Sequence, residues 1–420
     1  MWLRETNSGE RKTLAAAFMG YGIDAFDSMI YTFMIPTFIA LWGMTTTEAG
    51  YIATGALISS AVGGWLAGIL ADKYGRVRML QVTVLWFSFF TLCSGFVHSP
   101  EQLLFTRVMQ GLGFGGEWSV GSVLISEMIR ARHRGKAVGL VQSSWAVGWA
   151  VAAIAYWLIY SSFSPALAWK MLFWVGALPA LILVWLRRNL QDPEIYLQTR
   201  RRQQETGVSE GSFMQIFHPK MLRITLFSSL LATGMQGAYY AVTTWLPTFL
   251  KTERHLSVLN TSGYLVVLIA GSFAGYLTSA WVSDAFGRRR CFILFALCAI
   301  VLVVSYTLLP VTNTVMMVLG FPLGFFLSGI FSGMGAYLSE LYPGHIRGSG
   351  QGFCYNFGRA VGAIFPGMIG YMSGHMPLGT AIGYMAGGSY LLVIIACLAL
   401  PETRGKQLDA DMAAERRDQG

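Results

Sequence analysis

The chain has 420 residues, 54% of them hydrophobic and 12% charged, with a net charge of +9 and a mean hydropathy of +0.51. Soluble domains carry about 25% charged residues, so this composition excludes water as the main solvent of the surface. A basic balance of this size can mark a nucleic-acid binder, but the positions of the basic residues point elsewhere.

Apolar runs of the length that crosses a bilayer core, about 20 residues, fall at 13–40, 49–71, 79–97, 101–126, 137–160, 166–187, 221–250, 262–285, 290–309, 315–339, 350–373 and 380–400. The first is too long for the core of a cleaved signal and contains Asp24 and Asp27, so it reads as a transmembrane helix. The polar interval 188–220, with Arg200, Arg201 and Arg202, divides six helices from six. The predicted fold is an all-α integral membrane protein of twelve transmembrane helices in two six-helix pseudo-repeats. Its parts are an N-terminal bundle 1–187, a cytoplasmic linker 188–220, a C-terminal bundle 221–400 and a cytoplasmic tail 401–420.

With the N-terminus inside, 25 of the 30 Lys and Arg fall in inner loops and tails, while Lys170, Lys251 and Arg254 lie outside. This is the positive-inside pattern. It puts both termini in the cytoplasm and leaves no need for nucleic acid as a partner. Cys93, Cys291, Cys298, Cys354 and Cys397 sit in or beside apolar segments without metal-ligand spacing, and read as small packing residues.

The two halves repeat one another. Asp72-Lys73-Tyr74-Gly75-Arg76 recurs as Asp284-Ala285-Phe286-Gly287-Arg288, an offset of 212. Ser126-Glu127, Arg134-Gly135 and Gly139 recur as Ser339-Glu340, Arg347-Gly348 and Gly352, an offset of 213. Pro36-Thr37-Phe38 recurs as Pro247-Thr248-Phe249, an offset of 211. Parallel six-helix repeats are the architecture of transporters that rock around a midplane site.

Gly68-Ile69-Leu70-Ala71-Asp72-Lys73-Tyr74-Gly75-Arg76-Val77-Arg78 resembles the loop signature of the major facilitator superfamily. Arg107-Val108-Met109-Gln110-Gly111-Leu112-Gly113 resembles its fourth-helix motif, and Pro401-Glu402-Thr403-Arg404-Gly405-Lys406 the tail motif of its sugar and metabolite porters. Gly22-Ile23-Asp24-Ala25-Phe26-Asp27, Gly115-Gly116-Glu117-Trp118 and Tyr355-Asn356-Phe357-Gly358-Arg359 are similar to its proton symporters for aromatic acids and sialic acid. Ala25 stands where the aromatic-acid group usually has glycine. The resemblance implies proton-coupled import of a small carboxylate, with H+ as coupling ion; the lack of an extended extracellular domain points to a bacterial inner membrane, and the expected protein is functional as a monomer in lipid and without a cofactor.

A charge at the bilayer centre costs about 2.5–3.5 kcal/mol on insertion scales, so the charges within helices are candidate functional groups. They are Asp24, Asp27, Arg107, Glu117 and Arg359. At a rise of about 1.5 Å per residue, the three acids and Arg359 share one depth, with Arg107 nearer the outer surface. Asp24, Asp27 and Tyr31 form one helical stripe, and Arg107, Gln110, Phe114, Glu117 and Gly121 another. The repeat positions of Asp24 and Asp27 are Met235 and Ala238, so the helix 1 acids exist in one half only.

Arg359 is the candidate carboxylate clamp, because a guanidinium offers a planar fork. Tyr31, Gln110, Trp118, Gln142, Gln236, Tyr239, Tyr355 and Asn356 are the candidate substrate contacts, with Trp145 and Tyr240 beside them. Asp24, Asp27, Glu117 and Arg107 are the proton-coupling candidates. The competing reading for each charge is an ion pair that only holds helices together, and for the polar and aromatic residues ordinary packing. Asp72, Arg76, Glu127, Arg134, Asp284, Arg288, Glu340 and Arg347 gather at the cytoplasmic helix ends. The resemblance implies that such groups pair when the inner side is shut.

No metal constellation, Gly-x-Ser-x-Gly elbow or Walker-type loop is present in the sequence, which argues against a membrane enzyme or an ATP-driven pump. An antiport exporter and a neutral-sugar porter are the nearer rivals. The helix 5 segment Ser143-Ser144-Trp145-Ala146-Val147-Gly148-Trp149 lacks the Gly-Pro pair of the exporters, and intramembrane Arg359 with the helix 1 acids suits an anion better than a sugar.

Overall fold

The computed structural model describes residues 6–128, 134–187, 213–343 and 346–404. Within these, the side chains of Asp72, Trp118, Glu127, Arg134 and Asp284 lie outside the described part. The helices of the first half are α1 Ser8–Trp42, α2 Thr46–Tyr74, α3 Arg76–Ser94, α4 Pro100–Met128, α5 Arg134–Ser162 and α6 Pro165–Arg187. Those of the second are α7 Pro219–Thr252, α8 Val258–Phe286, α9 Arg288–Thr307, α10 Asn313–Gly329, α11 Met334–Leu341, α12 Arg347–Gly362, α13 Ile364–Met372 and α14 Leu378–Ala399.

Two of the twelve spans are each built from two helical segments. A 3₁₀ turn, Ile330–Gly333, joins α10 to α11, and a break at Ala363 joins α12 to α13. The unbroken runs expected over 315–339 and 350–373 are therefore interrupted, in both cases beside glycines (Gly329 and Gly333, Gly362) that disfavour a continuous helix. Eight helices among the described residues are long and apolar enough to cross a membrane. Helix α4 and helix α7 are lowered in apolarity by the polar residues they carry inward.

Local chemistry sets the boundaries. Asn7 and Glu10 cap α1 reciprocally, as Thr45 and Glu48 cap α2, satisfying amide groups that a helix start leaves unpaired. Gly75 and Gly287 take φ of 104° and 99°, a region that favours glycine. They turn α2 into α3 and α8 into α9 at equivalent places in the two repeats. The repeat extends to packing. A Cβ at Gly115 would stand 1.6 Å from the Ser60 carbonyl oxygen, and one at Gly324 1.8 Å from that of Leu268. Small residues let α2 meet α4, and α8 meet α10, backbone against backbone.

The end of the expected linker belongs to the second bundle. Residues Phe213–Phe217 form a 3₁₀ turn that holds Phe353 through Phe217, and Thr225 donates to the Ile216 carbonyl at 2.7 Å. Residues 188–212 and the tail from 405 lie outside the described residues. The cysteines are all free; Cys291, Cys354 and Cys397 are buried.

At the end of the bundle where α1 passes into α2, the halves touch directly. Thr46 Oγ1 donates to the Gly370 carbonyl at 3.0 Å, Ser373 Oγ donates to Thr46 Oγ1 at 2.8 Å, and the Gly367 amide donates to Thr54 Oγ1 at 3.0 Å. Helix α2 and segment α13 thus close this end.

Candidate functional site

Between the halves lies a central cavity of about 50 Å³, enough for a few waters. Helices α1, α2, α4 and α5 form one side and α7 the other. Its wall carries Arg107, Gln110, Tyr31, Trp145, Tyr239 and Tyr240, with the hydroxyls of Ser28, Thr32, Thr243 and Thr244.

The two polar stripes expected on α1 and α4 face each other. The Arg107 guanidinium lies over the Tyr31 ring at 5.1 Å, and Tyr31 is fixed by donating its hydroxyl to the Ala49 carbonyl at 2.8 Å. Asp27 is fully buried and accepts a 2.6 Å hydrogen bond from Thr91 Oγ1. Asp27 and Arg107 interact electrostatically, yet no hydrogen bond joins them among the described residues. Arg107 is only 5% exposed, and its Nε and Nη1 have no hydrogen-bond partner among the described residues. A buried cation with open donors on a cavity wall is a costly arrangement unless an anion visits it.

Arg359 stands elsewhere. It is not on the cavity wall. Its Nη2 donates to the Tyr355 hydroxyl at 3.3 Å and its guanidinium lies 5.1 Å from that ring. It is within electrostatic reach of Tyr240 and Tyr21. Gln236 links this cluster to the cavity: its Nε2 donates to the Tyr355 carbonyl at 2.8 Å, and its Oε1 accepts from Tyr240 at 3.2 Å. Tyr240 belongs to both the cluster and the cavity wall.

Of the remaining candidates, Asp24 and Glu117 are buried within the first half. Asn356 donates to the Gly352 carbonyl of its own helix, and half-buried Gln142 lies off the cavity wall. Trp145 donates from Nε1 to the Tyr239 hydroxyl at 2.5 Å, so α5 and α7 are bonded across the two halves. Thr91, Ser28, Thr32, Thr243 and Thr244 were not among the sequence candidates. Helical spacing carried a signal for the last two, which follow Tyr239 and Tyr240 by one turn.

At the opposite end, Arg288 and Glu340 meet in an ion pair of 3.1 Å. Thr403 Oγ1 donates to the same carboxylate at 2.6 Å, and Arg347 donates to the Ser339 carbonyl at 2.9 Å. Arg76 is half-buried at the start of α3. The side chains of Asp72, Glu127, Arg134 and Asp284, expected beside them, lie outside the described residues. Among the described residues no three His, Cys, Asp or Glu side chains gather as a metal site would need.

The family described as the Major Facilitator Superfamily matches residues 17–366 and 269–416. Over 404 residues the chain is 39% identical to a protein of Cupriavidus pinatubonensis described as a probable 4-methylmuconolactone transporter, spanning 96% of this chain and 93% of that one. It is 30% identical over 402 residues to the cis,cis-muconate transport protein of Acinetobacter baylyi, spanning 94% of each. Among solved structures, the D-xylose-proton symporter superposes with a TM-score of 0.76 at 19% identity, covering 96% of this chain and all of that one. That likeness carries the fold, two six-helix repeats.

Proposed function

The chain belongs to the major facilitator superfamily of multi-pass membrane transporters for small metabolites, and we propose that it imports a small organic anion, a carboxylate, together with a proton by alternating access. The observation that carries this is Arg107 on the wall of the central cavity, with open donors and with Asp27 behind it. The relatives named for muconate and methylmuconolactone transport support a small organic acid as cargo.

Charge balance supplies the coupling. With Asp27 ionised and the cavity empty, Asp27 and Arg107 sum to zero. With Asp27 protonated and a carboxylate on Arg107, the site again sums to zero. With the proton alone it carries one positive charge, and with the anion alone one negative charge. A net charge in the bilayer core is costly, so the empty and the doubly loaded sites are the ones that cross. Proton and anion therefore travel together. Protonation of Asp27 also removes the partner that competes with the substrate for the guanidinium. Asp24 and Glu117 are the reserve proton carriers.

In this reading the α1–α2 end faces outward, both termini are cytoplasmic, and the protein works as a monomer in the inner membrane with no cofactor other than the coupling ion. Arg359, through Tyr240 and Tyr355, orders the second half against the substrate. Closure at the Arg288–Glu340 end alternates with closure at Thr46 and Gly370.

The test is uptake of a panel of labelled carboxylates, muconate among them, into proteoliposomes with and without an inward proton gradient. We expect one acid to accumulate only with the gradient. Asp27→Asn should abolish accumulation but retain exchange of labelled for unlabelled acid, because exchange needs no proton release. Gradient-driven accumulation by Asp27→Asn would remove Asp27 from the coupling role, and gradient-driven efflux of cations or neutral compounds in place of acid uptake would overturn the reading.

A further inference from the structure

A second pocket, of about 480 Å³, opens where α8 ends, α9 begins and the chain leaves α14. Its wall is Phe286, Arg289, Arg290, Ile293, Glu402 and Arg404. Three guanidiniums face one carboxylate, and that carboxylate is already engaged. Glu402 accepts from the backbone amides of Arg288 at 2.9 Å, Arg289 at 3.1 Å, Thr403 at 3.0 Å and Arg404 at 3.1 Å. Among the described residues no carboxylate is hydrogen-bonded to the side chains of Arg289, Arg290 or Arg404. Among the described residues, the lining of the pocket keeps a net positive charge.

The rest of the wall, Phe286 and Ile293, is apolar. Phe286 is 62% exposed, and Trp281 on α8 and Leu294 and Leu297 on α9 are exposed as well. In a membrane protein such side chains lie against acyl chains, and an exposed tryptophan near a helix end marks the headgroup level. A cationic pocket bordered by lipid-facing apolar side chains complements a molecule with an anionic head and a hydrocarbon body.

The repeat shows that this pocket is no by-product of the shared loop signature. At the offset of 212, Phe286, Arg289 and Ile293 correspond to Tyr74, Val77 and Gln81. Val77 is buried in the packing of the first half. The second half has a guanidinium where the first has a core side chain, and adds Arg404 from the chain's exit.

We propose that this pocket binds an acidic phospholipid, its phosphodiester held by Arg289, Arg290 and Arg404 and its glycerol and upper acyl chain lying along Phe286 and Ile293. The bound head bridges the α8–α9 turn and the segment that follows α14. These are the pieces that Glu402 already joins and that flank the Arg288–Glu340 ion pair. A lipid here clamps that end of the second half.

The test is native mass spectrometry of the full-length protein released from bilayers of phosphatidylglycerol and phosphatidylethanolamine with matched acyl chains. Phosphatidylglycerol should be retained in preference to phosphatidylethanolamine. The preference should fall by about tenfold in the Arg289→Gln/Arg404→Gln variant, while Arg289→Lys/Arg404→Lys and the first-half control Arg78→Gln keep it. Should the neutral variant fail to fold, a salt titration of the unmodified protein serves instead: the preference should weaken as ionic strength rises. Equal retention of the two lipids, a preference indifferent to both variant and salt, or displacement of the lipid by millimolar inorganic phosphate would overturn the proposal. The last outcome would assign the pocket to a soluble anion.

Discussion

The indole of Trp145 on α5 donates a 2.5 Å hydrogen bond to the hydroxyl of Tyr239 on α7, and both rings line the central cavity. The bond joins the two halves at the level of the cavity. A cavity of about 50 Å³ is too small for a carboxylate with several carbons, so its wall has to widen when the substrate enters, and parting the halves at this pair is the expected route. Trp145→Phe keeps a ring and deletes the donor. A neutral hydrogen bond contributes about 1 kcal/mol net, which is about a fivefold change in an equilibrium. Because entry by this route breaks the bond, substrate binding measured by calorimetry should tighten by about fivefold. Weaker binding would mean instead that the indole N–H holds the substrate itself.

Glycines at the helix crossings separate motion from stability. A Cβ at Gly370 would lie 2.4 Å from the Thr46 carbonyl oxygen, across the two halves. A Cβ at Gly115 would lie 1.6 Å from the Ser60 carbonyl oxygen, within the first half. Overpacking costs about 1–3 kcal/mol. In Gly370→Ala the strain is relieved by parting α2 from α13, so the fold should survive while transport falls at least tenfold. In Gly115→Ala no rigid-body motion relieves it, so the melting temperature should drop. Equal melting losses in the two variants would contradict this division.

Much of the architecture was legible because lipid makes strict demands of sequence. The apolar runs, the basic loops and the repeat of Asp72 to Arg76 at Asp284 to Arg288 follow from those demands. The stripes of Asp24, Asp27 and Tyr31 and of Arg107 and Gln110 were legible because buried charge is costly and helical period reveals a face. What one helix cannot reveal is which partner faces it. Thr91 lies 64 residues from Asp27, and threonine is common on membrane helices, so nothing in α3 marks it as the carboxylate's donor. Depth counting set Arg359 beside the acids and Arg107 above them. The packing instead seats Arg107 on the cavity over Tyr31 and surrounds Arg359 with tyrosines. Rotation about the helix axis, which depth does not fix, decides which of two buried cations meets the cavity.

The far end of the second half is held by a small polar knot. Glu340 accepts from Arg288 and from Thr403, and the ion-pair side chains are only 15% and 11% exposed. Glu340→Gln takes from half-buried Arg288 the carboxylate it meets at 3.1 Å. Breaking a fully buried pair costs about 3–5 kcal/mol, and partial exposure reduces that to about 2 kcal/mol. The variant should melt earlier in detergent, and trypsin should cut faster after Arg404. An unchanged melting temperature would show that the pair contributes nothing to the fold.

The two buried arginines are separable by kinetics. Arg107 has open donors on the cavity wall, whereas Arg359 reaches the cavity through Tyr240 and Tyr355. Lysine preserves charge but lacks the planar fork. A hydrogen bond to a charged group contributes about 1.5–3 kcal/mol, so Arg107→Lys should raise KM for the transported acid by about 10- to 100-fold. Arg359→Lys removes a support of Tyr240 and Tyr355 from the second half, and should lower the maximal rate with a smaller change in KM. If instead Arg359→Lys raised KM strongly and Arg107→Lys did not, the carboxylate would sit in the second half, and Arg107 would serve only to balance Asp27.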